Sequence, residues 1–260
     1  MSAQQAKASS TAASASDQGP VGFVISMIFG AIFTILFSWT VAIVIEMVGT
    51  QTFWKDRGVL HSRDMVIEDL GYIAAAPHSL FVSDTVSFAQ TLITAVSWPF
   101  EKLGVMGFYK RSQAAVADVK AAEQSAVGAK GAVVGALKRT SVSSNHLLAT
   151  LGLVALYTAQ DTALRLSIVI FALPAFILAC LLGAVDGLVR RDLRKWGGGR
   201  ESSFIYHHAK ATTYLALGGG FALYLAWPTG GFNPSYMVLV FTVLVAWFLS
   251  LTLSSFKKYL

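Results

Sequence analysis

Thirteen residues belong to the densest polar segment of this 260-residue chain. They are Asp186, Arg190, Arg191, Asp192, Arg194, Lys195, Trp196, Arg200, Glu201, Tyr206, His207, His208 and Lys210. Six are basic and three acidic, so the segment is a net cation. Cations gathered this way attract phosphates, anionic headgroups or an acidic protein surface. Asp186 and Arg190 stand four residues apart and can pair on a helix face. Two roles stay open for the segment. It is either a Trp-anchored loop that fixes membrane topology or a docking surface for a cytoplasmic protein or nucleic-acid phosphates.

Catalytic readings fail one by one. Gly197-Gly198-Gly199 lacks the G-x-x-x-x-G-K-[ST] spacing of a phosphate loop and follows no strand. Arg200-Glu201-Ser202 is no G-x-S-x-G elbow. His207 and His208 are adjacent, about 100° apart on a helix, and chelate one ion poorly. No H-E-x-x-H occurs. One cysteine, Cys180, excludes an internal disulfide and any cysteine cluster for zinc, and is read as a small apolar residue. No cofactor, no metal and no enzyme activity are expected.

Three further ionisable groups lie near membrane depth. Asp161 and Arg165 are four apart and opposite in charge, so a structural pair is expected. Glu46 ends an apolar run, where it is expected to reach water. No chain of buried acids of the kind a proton pathway needs is legible.

The elements that must position these residues are membrane helices. The charged fraction is 13% and hydrophobic residues make up 55%. Soluble globular chains carry about 25% charged residues. Val21 to Ile45 runs uncharged for 25 residues, and Leu166 to Val185 for 20, with Pro174 inside as an expected kink. About Ala211 to Trp227 and Tyr236 to Leu253 read as a hairpin closed by a Pro- and Gly-rich turn at 228–234. Leu147 to Gln160 has 14 uncharged residues and Val86 to Phe100 has 15. Both are shorter than the roughly 17 a span needs, so each is read as an interfacial or core helix. Nothing breaks the chain between the first of these and Leu166, so 147–189 can be one long helix.

The fold class is therefore all-α: a polytopic helical membrane protein, four transmembrane helices favoured and five the alternative, with a helical soluble insertion between the first and second. Residues 1–20 read as a disordered tail, 21–45 as a transmembrane helix, 46–146 as the insertion, and 147–260 as a membrane bundle with the basic loop 186–210. Positive charge places that loop and the C-terminus in the cytoplasm. Four spans put the N-terminus in the cytoplasm and the insertion in the periplasm; five reverse both.

Within the insertion, Val66, Ile67, Leu70 and Ile73 predict an amphipathic helix over about 64–76, capped by Ser62 or Asp64. A second is predicted over 84–104, interrupted near Pro99. Residues 112–135 are read as a loosely held helix or a linker. With few large residues facing each other, the insertion is expected to lean on the membrane or on a partner.

Small residues recur every four positions in the spans: Gly22, Ser26, Gly30, Thr34 and Ser38; Ala175, Ala179 and Gly183; Gly218 and Ala222; Ala246 and Ser250. That spacing lets helix backbones approach closely and predicts tight bundling or homo-oligomer contacts.

The strings Asp186-Gly-Leu-Val-Arg-Arg-Asp-Leu-Arg194, Gly198-Gly-Arg-Glu-Ser202 and Tyr206-His-His-Ala-Lys210 resemble the membrane proteins of integrating conjugative elements. So do Phe256-Lys-Lys-Tyr-Leu260 and the segment from His61-Ser62 to Leu70-Gly71-Tyr72. The resemblance implies a multi-pass bacterial inner-membrane protein of a conjugation module, encoded near the coupling ATPase of a type IV secretion channel. It supplies no catalytic residues. The expectation is a non-enzymatic component that docks the coupling ATPase through the basic loop, without direct nucleic-acid binding. An entry-exclusion or envelope-structural protein is the alternative, and a small transporter a further one.

Overall fold

The computed structural model describes residues 20–75, 79–125, 132–197, 212, 215, 218–227 and 233–255. All regular structure among them is helical. The elements are α1 (Pro20–Gln51), α2 (Leu60–Ala75), α3 (Thr85–Lys102), α4 (Val105–Ser125), α5 (Ala132–Trp196) and α6 (Pro234–Ser254), and residues 218–225 form a further helical segment before α6. Three helices are long and apolar enough to cross a membrane: Val24–Gln51, Arg139–Trp196 and Pro234–Ser254. The span expected over 211–227 is described only in part. The N-terminal tail, the turn at 228–232, the ending at 256–260 and residues 126–131 lie outside the described residues.

Local chemistry sets the ends of these helices. Asp84 caps α3, its carboxylate accepting from Ser87 N at 3.0 Å. Asn233 does the same for α6 through Ser235 N at 2.9 Å, with Pro234 in the first turn. The chain corners between α1 and α2 at Gly58 (φ 53°) and between α3 and α4 at Gly104 (φ 64°), a left-handed geometry that favours glycine. Pro99 does not break α3, which runs on to Lys102.

α5 is the spine. Its 65 residues make it about 97 Å long at roughly 1.5 Å per residue, some three hydrocarbon thicknesses. It passes through Pro174 as one helix and joins the weak apolar stretch 147–160 to the strong one at 166–185. α6 lies parallel to its C-terminal half. Gly183 meets the backbone of Ala246, and a Cβ on Gly187 would stand 2.6 Å from Ser250 O. Here the absence of side chains lets two helices touch through their backbones.

The N-terminal half of α5 is covered by the insertion. Val66 and Ile73 of α2 and Ala89 of α3 form one core with Leu164 and Ile168. Val59 joins Leu153, Val154 and Leu156 in a second, with Phe100, Val105 and Tyr109 packed against it. α4 continues the layer, Ser112 Oγ meeting His146 Nδ1 at 3.2 Å. The apolar faces of these short helices thus find their partner in α5.

Two boundaries differ from the sequence expectation. α2 starts at Leu60 rather than near residue 64, and Ser62, inside its first turn, gives its hydroxyl to Glu46 instead of capping the helix. The stretch predicted over 112–135 divides: α4 already begins at Val105 and ends at Ser125, and α5 begins at Ala132.

Candidate functional site

Two places concentrate polar chemistry. The first is buried where α1, α2, α5 and the 218–225 segment converge. Arg165 is its centre. Its Nε stands 3.1 Å from Asp161 Oδ2, one turn earlier on α5, and 3.1 Å from Asp69 Oδ2 on α2. Its Nη1 donates to Tyr224 O at 3.2 Å and to Trp227 O. The guanidinium thereby caps the carbonyl end of the 218–225 helix, where a cation is favoured by the exposed carbonyls and the helix dipole. Tyr224 returns a hydrogen bond from its hydroxyl to Arg165 O at 3.3 Å. Arg165, Asp69 and Asp161 are all nearly sealed from solvent. Removing charges from water at this depth is costly, so the groups persist only because they satisfy each other.

Glu46 belongs to the same region. It accepts from Ser62 Oγ at 2.8 Å and from His61 Nδ1, which lies 3.2 Å from both carboxylate oxygens. An imidazole nitrogen facing a carboxylate carries the proton. His61 is clamped from its other side by the Trp54 ring, stacked at 4.1 Å between centroids. Trp54 in turn lies directly over Gly49, where no side chain would fit. The expectation that Glu46 reaches water is corrected: it is 3% exposed. α1 continues past the apolar run to Gln51, and the α1–α2 corner folds His61 and Ser62 back over the carboxylate.

A cavity of about 10 Å³ lies between the two halves of this cluster, lined by Ala42, Glu46, Ser62, Met65, Thr158, Asp161, Ala226 and Trp227. Asp161 Oδ1 and Trp227 Nε1 are both buried without a hydrogen-bond partner. The sequence shows no chain of buried acids, yet buried acids come together in the fold. Glu46, Asp69 and Asp161 do so, from three separated stretches of chain. Sequence spacing showed only the Asp161–Arg165 pair. The signal that was available for Asp69 is its place on the apolar face of α2, one turn past Met65 and four residues before Ile73. At the solvent edge of α2, Tyr72 donates to Glu68 at 2.9 Å. That hydrogen bond holds the Tyr72 phenol above its ordinary value, with partial burial and the charges of Glu68 and Asp69 acting in the same sense.

The second place is the C-terminal end of α5. Asp186, Arg190, Asp192, Lys195 and Trp196 are exposed, while Arg191 and Arg194 are half-buried. Arg190 Nε pairs with Asp186 Oδ2 at 2.8 Å, and Ser250 Oγ of α6 donates to the same carboxylate. Lys195 lies 3.8 Å from Asp192. Arg200, Glu201, Tyr206, His207, His208 and Lys210 lie outside the described residues. The described cations thus stand on the last turns of a helix whose preceding turns expose Leu181, Leu182, Val185, Leu188 and Val189. An apolar sleeve followed by cations is how a helix leaves a membrane.

The packing residues divide. Gly183, Ala246 and Ser250 lie at the α5–α6 contact. Ser38 is buried, whereas Ser26, Gly30, Ala175 and Gly218 are exposed and Gly22, Thr34, Ala179 and Ala222 half-buried. In the 218–225 segment the close approach is made by Gly220, against the Phe241 ring, rather than by Gly218. Among the described residues no group of three or more His, Cys, Asp or Glu side chains is arranged to hold a metal ion.

Compared with known proteins, residues 53–257 match the family described as IncC plasmid conjugative DNA transfer protein DtrJ-like. The matched stretch takes in α2 to α6, the buried cluster apart from Glu46, and the basic end of α5. No curated protein matches the chain, and no solved structure does.

Proposed function

This chain belongs to the DtrJ-like family of IncC plasmid conjugative DNA transfer proteins, and from that premise we propose that it is a non-enzymatic inner-membrane component of a type IV secretion DNA-transfer apparatus. It docks the coupling ATPase through the basic segment 186–210. The observation that carries the reading is the end of α5: cations on the turns that follow an apolar sleeve, with Arg190 steadied by Asp186. A cationic ledge at the membrane surface meets a partner bearing acidic groups and adds specificity through its charge pattern. The buried cluster serves the same role indirectly, because it fixes α1, α2 and the 218–225 helix to the spine that carries the ledge. The cytoplasm is the side proposed for segment 186–210 and the C-terminus, and the periplasm for α2 to α4.

The test is co-purification. Tagged protein extracted in mild detergent is expected to retain the coupling ATPase. Replacing Arg190, Arg191, Arg194, Lys195 and Arg200 by Ala is expected to release it. Retention of the ATPase by that variant contradicts the docking surface.

A further inference from the structure

The buried cluster holds more negative than positive charge. Glu46 of α1, Asp69 of α2 and Asp161 of α5 face one guanidinium, Arg165, and one imidazole, His61. The 218–225 segment adds the Tyr224 phenol, and α3 brings the uncharged Ala89 against Leu164 and the uncharged Ser97 to Gln160 at 2.7 Å. Even with His61 as an imidazolium, three carboxylates exceed two cations.

Geometry says where the excess sits. Glu46 is satisfied on both oxygens by His61 and Ser62. Asp69 and Asp161 instead point their Oδ2 atoms at the same N–H, each 3.1 Å from Arg165 Nε. The Nη1 of Arg165 is spent on the carbonyls of Tyr224 and Trp227. One N–H serves two carboxylates poorly, and two ionised carboxylates against one donor in a sealed site repel. Meanwhile Asp161 Oδ1 and Trp227 Nε1 are both buried without a partner, and both residues line one water-sized cavity.

We propose that Asp69 and Asp161 form a proton-binding site: the pair holds a single proton, shared between the two carboxyl groups on Arg165, with one water in the adjoining cavity linking Asp161 Oδ1 to Trp227 Nε1. The proton comes from bulk water and returns to it, so no other reactant is involved. Its binding removes one of the three negative charges gathered around Arg165 and His61. The water accepts from the indole and donates to the carboxyl, which satisfies the two orphaned atoms. A cavity of about 10 Å³ is at the lower limit for one water. The ligand is thus a hydron rather than a metal ion.

Infrared spectroscopy of the full-length protein in detergent micelles at neutral pH tests this. A protonated carboxylic C=O band is expected, shifting on transfer to deuterated water and on isotopic labelling of the aspartate carboxyl carbons. Asp161→Asn is expected to abolish it, because Asp69 then has the guanidinium to itself. Wild-type protein with no such band, or a band that survives in Asp161→Asn, overturns the proposal. Should Asp161→Asn not fold, the labelled wild-type spectrum decides alone: the band either moves with the aspartate label or the proposal falls.

Discussion

Asp69 on α2 is held at 3.1 Å by Arg165, which stands ninety-six residues further along the chain on α5. This contact joins α2 to α5 beside the apolar packing, and the same guanidinium ties in the 218–225 helix through Tyr224 and Trp227. Removing it strands two carboxylates. Arg165→Met is expected to destabilise the protein by about 3–5 kcal/mol, the usual cost of breaking a buried ion pair from one side. Arg165→Lys is expected to recover only part, since an ammonium cannot span the carboxylates and the two carbonyls together. Thermal unfolding in micelles measures both.

The α5–α6 contact makes a sharper, purely steric prediction. A Cβ at Gly183 or Gly187 meets the backbone of Ala246 or Ser250, whereas one at Gly30 meets nothing within 4 Å. Gly183→Val and Gly187→Val are therefore expected to lower the thermal midpoint clearly. Overpacking of this kind costs about 1–3 kcal/mol. Gly30→Val is expected to be near neutral by the same measurement.

Glu46 governs the α1–α2 corner. Glu46→Ala leaves Ser62 and His61 without their acceptor. Hydrogen bonds to a charged group are worth about 1.5–3 kcal/mol each. The corner at 52–58 is then expected to open, and limited proteolysis should cut there faster than in the wild type while α3 and α4 keep their protection.

Sidedness follows from the favoured four-span reading. With Cys180→Ser as background, a cysteine replacing Lys120 on α4 is expected to react with a membrane-impermeant thiol reagent in intact spheroplasts. Protection there, with reaction after lysis, would instead favour five spans.

What the sequence made legible follows physical range. Uncharged runs of 25 and 20 residues announce helices at once, since a bilayer leaves few alternatives. The Asp161–Arg165 and Asp186–Arg190 pairs were readable because helix geometry fixes partners four residues apart. The cluster was not. Asp69 lies among Asp56, Asp64 and Glu68 in what reads as an ordinary polar stretch, and only the packing of α2 on α5 separates it from them. Glu46 looked like a terminal acid because the helix was expected to stop with the apolar run. Its continuation to Gln51 and the fold-back of His61 depend on contacts between segments that no local pattern records.

Whether the basic end of α5 serves conjugative transfer, as proposed, is tested most directly by mating frequency. Donors lacking this gene are complemented with wild-type protein or with the variant carrying Ala at Arg190, Arg191, Arg194, Lys195 and Arg200, at matched membrane levels. Wild type is expected to restore transfer, and the variant to leave it markedly reduced. Transfer by the variant at the wild-type frequency would contradict the proposal.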